Sequence, residues 1–138
     1  MKKALVCAAL LLICALIPTL AFTEDAATVR LARTIYALAD EESYETKLAI
    51  GTVVVNRVES PWFAGSLEGV LTEQHQFPCG SRYDDESLEA AHAVLSGRRT
   101  LPDDVLYYHA LNASEPWPAA NLYASSGSFG FYTKNGDE

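Results

Sequence analysis

Four groups of side chains have the types and spacing that chemistry asks for. Asp40-Glu41-Glu42 is a run of carboxylates, the residue type used for general acid and base work. Glu42 also reads as an acceptor for free backbone N–H groups at the start of a following helix, and Asp40 and Glu41 as a solvated turn. His75, Cys79 and His109 can be drawn as a zinc set, but H-x3-C is a thin signal and no second Cys follows. Gly127-Ser128-Phe129-Gly130 lacks the G-x-S-x-G spacing of a strained nucleophile elbow. The fourth group is aromatic: Trp62, Phe77, Tyr107, Tyr108, Trp117 and Tyr123 fall in or beside loops. Such rings stack on the apolar faces of sugars, and Gln76 and Asn112 can bond hydroxyl and acetamido groups. The plainer alternative is ordinary core aromatics, since strand alternation turns one of Tyr107 and Tyr108 inward.

These groups hang on a short series of elements. Val29, Ala32, Ile35, Tyr36 and Ala39 recur at helical spacing and predict one helix with a single apolar face. Asp40 to Ser43 is a turn, and Ser43 is placed to cap a second helix. Leu48, Ala49, Thr52, Val53 and Asn56 continue that helix, although Val53-Val54-Val55 alone favours a strand. Ser60-Pro61 ends it, and Trp62-Phe63 should fold back on the core. Ser66 caps a short helix to about Gln74. A further helix runs from about Glu86 to Ser96, capped by Asp84 or Asp85 and closed by Gly97, with His92 on its surface. Val105 to His109 reads as a strand, Asn112 to Ser126 as a long loop, Phe129 to Thr133 as a terminal strand, and Lys134 to Glu138 as a frayed end.

Within this order lies a family resemblance. Ala32-Arg33, Ile35, Ala39, Glu42, Tyr44, Ala49, Val53 and Asn56-Arg57-Val58 fit, without a gap, a pattern A-R-x-I-x-x-E-A-R-G-E-x-Y-x-G-Q-x-A-V-x-x-V-x-x-N-R-V. Gly69-Val70 with Gln76-Phe77, Ala90 to Gly97, Tyr107-Tyr108 with Asn112 and Trp117, and Gly130-Phe131-Tyr132 extend the match to about Thr133. The chain thus resembles the SleB-type cell wall hydrolases, the spore-cortex-lytic group. The resemblance implies a mainly helical α+β fold, a single small lysozyme-like domain with a short antiparallel sheet. It implies cleavage of the peptidoglycan glycan strand between muramic acid and glucosamine, as a hydrolase or lytic transglycosylase. It also places the general acid of the family at Leu38, which cannot donate a proton. Glu42, one helical turn further on, is the remaining candidate catalytic carboxylate. Gln76, Phe77, Tyr108, Asn112 and Trp117 are the expected substrate-binding residues. Three readings follow: a glycan-strand enzyme working through Glu42, a silent peptidoglycan-binding or regulatory relative, and a small exported structural or interaction protein. No metal and no cofactor is expected.

Length and charge bound the rest. Lys2-Lys3, the apolar run Ala4–Ile17 and Thr19-Leu20-Ala21 predict a secretory signal peptide over residues 1–21. An uncleaved anchor is the alternative, but the run of 14 residues is shorter than the ~20 that span a bilayer. Residues 22–138 form one domain. With Lys2 and Lys3 removed, 8 basic stand against 18 acidic side chains, which excludes nucleic-acid binding by charge. Membrane contact is expected only through the signal segment, and the location is secreted or in a bacterial cell envelope. Cys7 and Cys14 leave with the signal, so Cys79 has no internal disulfide partner and reads as a partly buried small residue.

Overall fold

Leu31, Ala32, Ile35 and Ala39 bury one face of the first helix, α1 (Ala26–Ala39). The inward face is slightly rotated from the predicted stripe: Thr28 and Thr34 are buried, while Val29 and Tyr36 are half-buried. The computed structural model describes residues 24–134. The expected signal peptide, its cleavage point, Cys7, Cys14 and the tail beyond Lys134 lie outside the described residues. Among those described, no helix is long and apolar enough to cross a membrane.

The turn after α1 ends at Ser43, whose hydroxyl accepts the Thr46 N–H at 3.3 Å and starts α2 (Tyr44–Glu59). Every residue from Thr46 to Arg57 is buried. That surrounding explains why Val53-Val54-Val55 is helical: packing on all sides overrides a local preference for strand. Lys47 survives inside because its ammonium meets Glu86 at 2.7 Å and the carbonyls of Glu42 and Asp40 at 3.0 and 3.4 Å. Ser60 leaves helical geometry ahead of Pro61. Phe63 packs against the core, but Trp62 does not fold back: it is 65% exposed.

Ser66 caps α3 (Leu67–Thr72), which stops two residues short of the predicted end. Asp84 accepts the Ser87 N–H at 2.8 Å and caps α4 (Asp85–Leu95). Gly97, at φ +112°, closes α4, donating to Val94 O while Arg98 N–H reaches Ala93 O. Arg99 adds its guanidinium to the Val94 carbonyl at 2.5 Å. His92 lies on the surface of this helix. Cys79 is exposed rather than partly buried, with Arg30 Nη1 at 3.9 Å from its sulfur.

Three antiparallel strands follow, β1 (Val105–Ala110), β2 (Leu122–Ser126) and β3 (Phe129–Thr133), in the spatial order β1-β3-β2. β2 lies within what reads as loop. Its sequence Leu-Tyr-Ala-Ser-Ser is mostly exposed and weakly patterned. It pairs because Gly127, at φ +55°, lets Ser126 turn back onto Phe129 through two residues. A short 3-10 turn, Ala119–Asn121, leads into it. The sheet joins the helices through adjacent side chains of α2. Asn56 donates to Pro102 O and Val105 O at 2.7 and 3.0 Å, and Arg57 Nε donates to Leu106 O at 2.6 Å.

Candidate functional site

A cleft of about 390 Å³ opens where α1, α2, the loop after α3, β1 and β3 meet. Leu38, Arg57, His75, Gln76, Tyr108, His109, Ala110, Trp117 and Phe129 line it. None of them is Asp or Glu.

Arg57 organises one wall. It is 2% exposed. Its Nε is taken by Leu106 O, its Nη1 donates to Gln76 Oε1 at 3.0 Å, and its guanidinium lies 4.8 and 4.9 Å from the rings of Phe63 and Phe77. Burial pulls its pKa below the ordinary guanidinium value, and the neighbouring Tyr108, Tyr107 and Glu73 oppose that shift. Tyr108 stacks on Phe77, with centroids 5.4 Å apart, and donates its hydroxyl to Gln76 O at 2.6 Å. Burial raises the Tyr108 pKa above 10, Arg57 opposing, so the phenol stays a donor near neutral pH.

A further part of the lining is an aromatic stack. His109 and Trp117 lie parallel, 4.7 Å apart and 5° from coplanar orientation. His109 Nε2 is 2.9 Å from Glu115 O; a carbonyl only accepts, so this nitrogen carries the proton in that bond. Trp117 also meets Tyr107 and Tyr132 edge-on. His75 projects from a backbone at φ +61°, the one non-glycine residue in that region among the described residues.

Of the expected binding residues, Gln76, Tyr108 and Trp117 come together in the cleft. Gln76 is as much a tie as a contact, since Arg57 holds its side-chain oxygen and Tyr108 its backbone oxygen. Phe77 is 9% exposed and packs behind Tyr108. Asn112 is exposed and outside the lining, as is Tyr123. Glu42 does not line the cleft either. Its carboxylate does not bond the start of α2; it accepts the Ser128 N–H at 3.2 and 3.3 Å. The lining residues missed from sequence are Arg57, His75, His109, Ala110 and Phe129. The N-R pair marked Arg57 as part of a motif, but nothing local to His75 or His109 signals a shared cleft. Among the described residues no group of three His, Cys, Asp or Glu side chains is placed to hold a metal ion.

A family model described as cell wall hydrolase matches residues 41–132. The chain belongs to the SleB-type cell wall hydrolase family. A spore cortex-lytic enzyme of Bacillus subtilis (strain 168) is 33% identical over 93 residues, 63% of this chain and 30% of that protein. The chain therefore spans under a third of this relative's length. Two solved structures share the fold. The catalytic domain of the Bacillus cereus SleB protein has a TM-score of 0.70 at 19% identity, covering 78% of this chain and 89% of that one. The catalytic domain of the germination-specific lytic transglycosylase SleB from Bacillus anthracis has a TM-score of 0.69 at 20% identity, covering 81% and 98%. The expected mainly helical α+β fold with a small antiparallel sheet is thus the fold of this cell wall hydrolase family.

Proposed function

We propose that this cell wall hydrolase relative binds the glycan strands of peptidoglycan in the cleft and does not cleave them. The observation that carries this reading is the composition of the lining. Leu38 stands where the resemblance puts the general acid, and among the described residues no carboxylate lines the cleft. A glycosidic oxygen leaves poorly until protonated, and a half-buried carboxyl is the group that protonates it. Losing such an acid slows general acid catalysis by about 10²–10⁴-fold. The rest of the cleft keeps what sugar binding uses: the rings of Tyr108, Trp117 and His109, and polar edges at Gln76 and His109. The apolar N-terminal segment supports action outside the cytoplasm, in the envelope of a bacterial cell.

A second reading keeps the enzyme, with Glu42 as its acid. It is favoured by position, since Glu42 lies three residues beyond the last residue of the helix that carries Leu38 and bonds the residue next to Phe129. It requires the carboxylate to release Ser128 first.

Purified sacculi test both. The protein lacking its first 21 residues is incubated with them, and both the pellet and the released muropeptides are analysed by mass spectrometry. Binding without fragments is expected. Anhydro- or reducing-end fragments that disappear in Glu42→Gln would establish the second reading. No binding and no fragments would leave only an exported protein that shares the fold.

A further inference from the structure

Trp117 does not end the cleft; it divides it from a second hollow. That hollow, of about 300 Å³, has the rings of Tyr107, Trp117, Pro118 and Tyr132 as walls, with Asn121 and Lys134 at its polar edge. Thr133 and Lys134 then belong also to a third hollow, of about 310 Å³, which Trp62 borders. The three are thus joined in series by shared residues.

Trp62 is the least expected part of this series. A Trp that is 65% exposed leaves a large apolar face in water. The face is not simply loose: Lys134 Nζ lies 3.6 Å from the ring centroid. Beside it Glu59, Asp103 and Asp104 supply acceptors. Rings bordered by acceptors and an ammonium suit a saccharide, whose C–H faces are apolar and whose edges are hydroxyls and amides.

We propose that the glycan-binding surface continues past Trp117 through the second hollow to Trp62, so that one strand occupies all three. This rests on the glycan reading of the cleft and adds to it a far subsite built from Trp62 and Lys134. It makes affinity depend on strand length, with Trp62 felt only by strands long enough to reach it.

Calorimetric titration with peptide-free glycan fragments of two and of six sugars tests it. The six-sugar fragment is expected to bind at least about tenfold more tightly than the two-sugar one. Trp62→Ala is expected to weaken the six-sugar fragment by about three- to tenfold, the scale of one aromatic contact, and to leave the two-sugar fragment unchanged. Trp117→Ala, at the junction, should weaken both. Equal affinity for the two lengths, or a Trp62→Ala variant that holds the long fragment as well as the parent, would overturn the far subsite while the cleft reading stands. If neither fragment binds, both fall together.

Discussion

The carboxylate of Glu42 accepts the main-chain N–H of Ser128, tying the turn after α1 to the hairpin between β2 and β3 across 86 positions of sequence. Beside it the Thr46 and Ser126 hydroxyls lie 2.7 Å apart. Gly127 lies against Glu42 so closely that a Cβ there would run into Glu42 Oε2. Glu42 is thus occupied with holding a hairpin whose next residue, Phe129, lines the cleft.

Glu42→Ala should lower stability by about 1–2 kcal/mol, the worth of a hydrogen bond to a charged acceptor at a partly exposed site. Glu42→Gln keeps an acceptor and should lose less. Gly127→Ala should lose more than either, because a left-handed backbone costs a side chain about 1–2 kcal/mol before the collision is counted. Urea denaturation of the three variants checks this order. A Glu42→Ala protein as stable as the parent would show that the bond holds nothing.

On the proposed non-cleaving reading, Leu38→Glu should confer glycan cleavage, because the new carboxyl would enter a cleft whose lining holds no acid. Leu38 is only half-buried, so the variant should still fold, with a loss of about 1–2 kcal/mol. The readout is release of anhydro- or reducing-end muropeptides from sacculi. A folded, sacculus-binding but inactive Leu38→Glu would mean that more than the acid has been lost.

Lys47→Ala should cost about 2–4 kcal/mol, because it leaves the Asp40 and Glu42 carbonyls without their donor as well as Glu86 without its partner. Lys47→Met restores the apolar stem and should recover only part of that loss. Thermal unfolding followed by circular dichroism distinguishes the two. Equal melting of both variants would assign the whole effect to the charge.

The Asp84 cap gives the protein a stability component that acid removes. Burial alone would push this carboxyl up, but the Ser87 hydrogen bonds and the charge of Lys47 outweigh it, and the pKa falls below the ordinary 3.8. A carboxyl lowered in the folded state stabilises fully above its unfolded pKa and loses that contribution as pH falls through the folded value. The parent should therefore exceed Asp84→Ala in stability by about 1 kcal/mol at pH 7. The gap should close as pH drops below 3.8. A gap unchanged at pH 2.5 would show that the cap works without its charge.

Helices were legible in the sequence because their signals are local. Ser43, Ser66, Asp84 and Gly97 each act within one turn of themselves, and all four do so in the structure. β2 was not legible, since its five residues carry little hydrophobic pattern and owe their pairing to β3. The Gly127-Ser128 pair was the one local hint, a two-residue link of the kind that closes hairpins. In the site, Gln76, Tyr108 and Trp117 could be anticipated from type and resemblance. His75 and His109 could not, because their meeting depends on the path of the loop after α3 against β1. Asn112 fits the motif but stays outside the cleft, where chain direction and not residue type decides.

The order β1-β3-β2 also has a consequence in time. Both outer strands precede in sequence the middle strand they pair with, so neither can form its ladder until Phe129–Thr133 has been made. Until then Tyr108 lacks its Phe129 neighbour, and the cleft lacks the wall that Phe129 supplies. A nascent chain has its helices early and its aromatic cleft last.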